Sequence, residues 1–127
     1  RIIILRRKEM TKFFNSVGMP TFYTKKNGAT TSLNSVSGAT VGYMQDIGGT
    51  KVFSDSSFRP YKYSQKCGAT TVYRGMNGTL LGSEVDLGNG NLWSLNANGS
   101  TAGYKHKSGA MTTKYDSQYR KLGTTIK

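Results

Sequence analysis

A glycine-bearing doublet returns along this chain at intervals of about ten residues. The series is Asn27-Gly28, Ser37-Gly38, Gly48-Gly49, Cys67-Gly68, Asn77-Gly78, Asn89-Gly90, Asn98-Gly99 and Ser108-Gly109. One beat is missing, near Phe58 to Pro60. Tight hairpins need positive φ at their central positions, which glycine adopts freely and asparagine tolerates better than most residues. The spacing leaves strands of about eight residues, so the expected fold is all-β. It is an antiparallel meander of short hairpin-connected strands, arranged as a twisted sheet, a small barrel or a solenoid-like stack.

Period-two alternation supports this reading. Leu81, Val85 and Leu87 oppose Gly82, Glu84 and Asp86, Trp93 and Leu95 share a face, and Tyr104 and His106 oppose Lys105 and Lys107. Such patterns mark a sheet with one drier and one wetter side. The glycines Gly42, Gly75, Gly82 and Gly103 fall within strands, where they point to bulges or to a close approach of another backbone.

A longer echo overlies the short one. The pattern Tyr-x-x-Lys-x-Gly-Ala begins at Tyr23, Tyr63 and Tyr104, in steps of forty and forty-one residues. The third unit is incomplete unless the N-terminal segment completes it. From Tyr115 to Gly123 the chain is similar to the Tyr-Asp repeats of large bacterial shell proteins. It departs from them in having Tyr119 before Arg120 and Lys121 between Arg120 and Leu122. No function is carried across from that similarity.

Residues 1–20 read differently from residues 21–127, the single β-rich domain with repeats of about ten and forty residues. The first segment is basic, and Met10, Phe13, Phe14 and Val17 fall at helical spacing before Gly18 and Pro20. A short basic N-terminal helix or arm is therefore expected, stopped by a C-cap glycine and a proline. The run Ile2 to Leu5 is too short for a signal-peptide core or a membrane span.

Charge constrains the partners. The net charge is +12, and it is uneven: +9 over residues 1–74, −2 over 75–104 and +5 over 105–127. A surface so basic repels itself unless a polyanion, salt or an acidic partner offsets it. Lys and Arg interleave with Tyr, a pattern that suits phosphate contacts beside stacking platforms. The polyanion-binding candidates are Arg6, Arg7, Lys8, Lys12, Lys25, Lys26, Arg59, Lys62, Lys66, Arg74, Lys105 and Lys107.

Catalytic sets are hard to assemble. With one cysteine, Cys67, and one histidine, His106, neither an intrachain disulfide nor a Cys- or His-based zinc cage can form. Cys67 reads as a small turn residue in the first position of its doublet. His106 beside Lys105 and Lys107 suggests a metal-free nuclease toxin, but alternation places it on the opposite face from both lysines. Glu84 and Asp86 share a face, as solvated acids or a contact to a basic neighbour. No phosphate-loop or nucleophile-elbow pattern is present. No catalytic residue, cofactor or metal ligand is assigned.

Apolar residues make up 35 % of the chain, below the roughly 45–50 % of globular domains. The core is expected to be thin, with sheet edges in need of cover. The expected function is therefore a non-enzymatic structural or assembly subunit of a virion, appendage or surface fibre, at a virion, extracellular or cell-surface location. Its β-domain and N-terminal arm would pack against neighbours in a homo-oligomer or larger assembly, through Ile2, Ile3, Ile4, Phe13 and Phe14. The alternative is a basic β-sheet module that binds nucleic acid or another polyanion. Alternating segments of this length would also suit a membrane barrel, but the positive charge and the lack of aromatic girdles argue against membrane association.

Overall fold

The computed structural model describes residues 10–127. Twelve strands follow one another: β1 (Met10–Asn15), β2 (Pro20–Asn27), β3 (Thr30–Ser35), β4 (Thr40–Ile47), β5 (Thr50–Asp55), β6 (Pro60–Cys67), β7 (Thr70–Gly75), β8 (Leu80–Gly88), β9 (Asn91–Asn96), β10 (Thr101–Ser108), β11 (Met111–Asp116) and β12 (Lys121–Ile126). Each is antiparallel to its sequence neighbours, and β12 pairs with β1, so the meander closes into a barrel. The closing seam is short, with four register pairs from Lys12–Ile126 to Asn15–Gly123. Closure removes the open sheet edges expected from the sequence, because every strand has two partners.

The true unit is a hairpin of about twenty residues, with a different connection at each end of the barrel. At one end the loops are two residues long. Gly28-Ala29, Gly68-Ala69 and Gly109-Ala110 have positive φ at the glycine alone, while Gly48-Gly49 and Asn89-Gly90 have it at both positions. These φ patterns match type II′ and type I′ turns respectively. The first kind recurs at every second hairpin, which is the physical content of the forty-residue echo. In each, the alanine carbonyl also accepts from the strand beyond: Ala29 from the Asp46 N–H, Ala69 from that of Asp86 and Ala110 from that of Lys127. The loop therefore starts one residue later than the sequence doublet suggests. Cys67 is the last residue of β6, paired with Thr70, and not a turn residue.

At the other end each loop opens with a reverse turn closed by an i to i+3 backbone bond, as from the Gly18 N–H to the Asn15 carbonyl, 3.0 Å. The residue that follows in the left-handed region is Gly18, Gly38, Gly78 or Gly99 in four loops and Phe58 or Tyr119 in the other two. The missed beat near Phe58 is thus a turn like its neighbours, with an aromatic residue where glycine is usual. Left-handed backbone costs an L-residue roughly 1–2 kcal/mol. Phe58 offsets this by stacking on Tyr43 at 3.8 Å between centroids, and Tyr119 by stacking on Tyr104 at 4.3 Å.

The expected N-terminal helix is corrected. Residues 10–15 form strand β1, which pairs with β2 and β12, and residues 1–9 lie outside the described residues. The helical spacing of Met10, Phe13, Phe14 and Val17 was coincidental. Phe13 and Phe14 go to opposite sides of the wall, and Val17 lies in the first loop. Gly18 supplies the left-handed turn residue instead of a helix cap, and Pro20 starts β2 at a bulge, where no ladder N–H is required.

Every even-numbered strand carries a bulge against the preceding strand close to the longer loops. Glycine occupies the strand position beside the bulge in four of these cases. A Cβ on Gly42 would stand 2.8 Å from the Ser54 carbonyl oxygen, one on Gly82 would stand 2.7 Å from that of Leu95, and Gly103 and Gly123 are closer still to those of Tyr115 and Phe14. The mid-strand glycines at 42, 82 and 103 therefore mark close backbone approach, as their positions suggest. Gly75 opens a loop instead, its N–H bonded to the Thr79 carbonyl.

Candidate anion-binding lumen

Cross-strand register and cavity lining together fix which face is inside. Phe13 on β1 lines the same cavity as Phe53 on β5, Tyr73 on β7 and Lys105 on β10. Strands so far apart around a closed ring can share only the lumen. Residues in register with these complete the inner wall: Thr24, Lys26, Thr31, Met44, Asp46, Lys51, Lys62, Ser64, Lys66, Thr71, Glu84, Asp86, Leu92, Ser94, Lys105, Lys107, Thr112 and Lys114. The outer wall carries Phe14, Tyr23, Tyr43, Val52, Tyr63, Val72, Val85, Trp93, Leu95, Tyr104, Tyr115 and Ile126, the residues between. On β4, β6, β8, β10 and β11 the charged side chains face in, whereas β1 and β7 carry theirs, Lys12 and Arg74, on the outside.

Ring size explains the inversion. Side chains just fill the inside of an eight-strand barrel, and sixteen to eighteen strands leave an aqueous channel. Twelve strands leave more room than the side chains can occupy, so lysines can point inward and stay hydrated. No hydrophobic side chain among the described residues is buried, and the buried polar ones are Asn34, Ser54 and Ser64. Asn34 is satisfied locally, donating to the Ser32 hydroxyl at 3.0 Å and accepting from the Thr40 hydroxyl at 2.8 Å.

The lumen is built in two levels. The central cavity, about 580 Å³, is lined by Phe13, Phe53, Tyr73, Lys62, Glu84 and Lys105, among others. There Lys105 Nζ donates to Glu84 Oε2 at 2.8 Å. Lys62 Nζ lies 4.8 Å from the Phe53 ring centroid and 5.6 Å from that of Tyr73. Burial, with the Glu84 charge adding to it, raises the Tyr73 phenol above its ordinary value. Next to the two-residue turns, Lys26, Asp46, Lys51 and Lys127 line a mouth cavity of about 660 Å³. Lys66 joins Asp46 and Lys51 along a continuing stretch of wall.

The structure divides the sequence candidates. Lys26, Lys62, Lys66, Lys105 and Lys107 converge on the lumen, whereas Lys12, Lys25 and Arg74 belong to the outer face of their strands. Arg59 is in a loop, bonded through Nε to Asp55 Oδ2 at 3.1 Å. Arg6, Arg7, Lys8, Ile2, Ile3 and Ile4 lie outside the described residues. Of the assembly candidates, Phe13 lines the lumen and Phe14 faces outward. Sequence reasoning missed Lys51, Lys114 and Lys127 on the inside. Their signal was available, since Lys51 and Lys114 sit at alternate positions in short strands, but nothing in the alternation says which side is enclosed.

The remaining candidates separate cleanly. His106 is on the outer wall, its Nδ1 2.7 Å from Asn91 Oδ1, while Lys105 and Lys107 face the lumen, so the barrel wall stands between them. Glu84, anticipated as a solvated acid or an intersubunit contact, pairs with Lys105 of its own chain. Two loops repeat one electrostatic device. Asp55 Oδ1 accepts from the Ser57 and Arg59 N–H groups, and Asp116 Oδ1 from those of Gln118 and Arg120, each at 2.9 Å. These bonds, led by the N–H of the arginine, hold both carboxyls below the usual carboxylate range.

Comparison of the chain with protein-family models, with curated proteins and with solved structures returned no match.

Proposed function

We propose that this chain is a non-enzymatic structural subunit that packs against further copies of itself through its outer barrel wall. The observation that carries the reading is the absence of any buried hydrophobic side chain among the described residues. The apolar side chains sit on the outside, where Ile47 is 61 % exposed and Leu87 58 %. Burial of such a side chain is worth about 1.5–3 kcal/mol, which an isolated ring forgoes and a neighbour supplies. Polar groups interleaved on the same wall, including Gln45, Gln65 and Lys25, favour a protein surface over lipid as the cover. All strands but β8 are six or eight residues long, shorter than the roughly 9–11 that cross a bilayer.

In this form the reading replaces edge-to-edge pairing, which closure forbids, with wall-to-wall packing. Sedimentation velocity across a range of protein concentrations tests it. Concentration-dependent growth beyond the 13.9 kDa monomer supports the proposal, and loss of that growth in Ile47→Ser/Leu87→Ser ties it to the outer wall. A chain that sediments as a stable monomer at every concentration removes it.

A further inference from the structure

We infer that the lumen is a binding site for a compact oligophosphate, a small anion with several adjacent phosphate groups. The argument is electrostatic and geometric, and it does not depend on what covers the outer wall. The inner wall carries Lys26, Lys51, Lys62, Lys66, Lys105, Lys107 and Lys114, against the acids Asp46, Glu84 and Asp86. Lys105 is paired with Glu84 within the lumen. Lys114 is the register partner of Lys105 on the neighbouring strand. Like charges directly opposite in a sheet are destabilising, and a bound anion between them reverses the sign of that interaction.

Placement selects the ligand. Lys62 on β6 and Lys105 on β10 line one cavity, and Lys51 and Lys66 line a second that shares Phe53, Tyr73 and Glu84 with it, an arrangement that surrounds a compact polyvalent ion better than it tracks an extended strand. The central cavity, about 580 Å³, falls within the roughly 300–1,000 Å³ of small-ligand sites. Phe13, Phe53 and Tyr73 line the same space, so a ring carried by the ligand has aromatic faces to meet. The longer loops do not close over this space with their aromatics. Phe58 and Tyr119 stack on Tyr43 and Tyr104 of the outer wall.

Calorimetric titration of the whole chain with tripolyphosphate and with ATP, at about 0.15 M salt, tests the inference. Saturable binding at one oligophosphate per chain is expected, with ATP tighter than tripolyphosphate if the aromatic faces take part and equal to it if the phosphates act alone. Lys51→Gln, Lys66→Gln and Lys62→Gln should each weaken binding by about tenfold, the loss of one charge-assisted bond, and Lys→Arg at the same positions should restore most of it. Lys25→Gln and Arg59→Gln, away from the lumen, should change affinity less than about twofold on the same scale.

If a lumen variant loses its far-UV circular dichroism, amine-reactive labelling of the unmodified chain replaces it. Tripolyphosphate should then protect Lys51, Lys62, Lys66 and Lys105 and leave Lys12 and Lys25 reactive. No binding at millimolar oligophosphate by folded protein overturns the inference. So do equal losses from lumen and outer variants, protection spread evenly over all lysines, or an oligothymidylate that outcompetes tripolyphosphate at equal phosphate concentration.

Discussion

The inner and outer walls of this barrel are made from alternate residues of the same twelve strands, yet they obey opposite rules. On β10, Lys105 and Lys107 face a hydrated lumen while Tyr104 and His106 face outward, and on β8 Glu84 and Asp86 are backed by Val85 and Leu87. In a smaller soluble barrel side chains fill the enclosed face and exclude water, which favours an apolar lining. Here the ring is wide enough that the enclosed face is the wetter one. Alternation therefore assigns residues to faces, and strand number decides which face is dry.

The contrast is broken most severely at the closing seam. Gly123→Val places a Cβ against the Phe14 carbonyl, which the backbone can relieve only by moving apart. A loss of about 1–3 kcal/mol is expected, read from the midpoint of urea unfolding. The adjacent outward substitution Thr124→Val should stay within about 0.5 kcal/mol. Equal effects from the two variants would mean that the walls are not distinguished at this seam.

The lumen ion pair comes next. Glu84→Gln removes the partner of Lys105, whose side chain is 30 % exposed, and leaves Lys105 and Lys114 opposed without a counter-charge. A destabilisation of about 1 kcal/mol is expected at low salt, and added salt should recover part of it by screening. A loss that does not respond to salt would point to packing and not to charge.

Smaller effects separate the two loops that lack glycine. At Phe58 and at Tyr119, replacement by glycine relieves the left-handed backbone but removes the stack, whereas alanine removes the stack and keeps the strain. The glycine variant should be the more stable of each pair by about 1 kcal/mol, measured by thermal unfolding. Smallest of all is the acid response. The Asp55 and Asp116 carboxyls are depressed in the fold, against about 3.9 in an unfolded chain. Their contribution is complete above that value and is lost as the pH falls through their folded pKa. The amide signals of Ser57, Arg59, Gln118 and Arg120 should therefore move below about pH 4, before the strand amides do. Tyr73 runs the other way: its raised phenol is neutral in the fold, so stability falls as the pH climbs past about 10.

Much of the fold was legible because glycine and asparagine mark reversals chemically. Five two-residue turns and four of the longer loops carry that mark. The turns at Phe58 and Tyr119 did not, since an aromatic side chain holds the left-handed position through a stacking contact distant in sequence. The echo from Tyr23 to Tyr63 to Tyr104 left the third unit incomplete unless the N-terminal segment joined it, and β10, β11, β12 and β1 follow one another around the ring. The strand character of β1 was hidden because Phe13 and Phe14 mimic a helical face when only their spacing is visible. The lysines of the lumen were partly seen as a basic set, but their convergence depends on β12 meeting β1, a pairing that no turn signals.

Closure is thus the claim on which lumen, wall and ligand all rest, and the β1–β12 seam is its shortest pairing. Through-space proton contacts by NMR between Phe14 and Thr124 and between Phe13 and Thr125 test it most directly. A closed barrel gives both contacts, with slow exchange of the amides that bridge the seam. If those contacts are missing while the β2–β3 and β10–β11 pairs give theirs, the ring is open and the enclosed lysine surface does not exist.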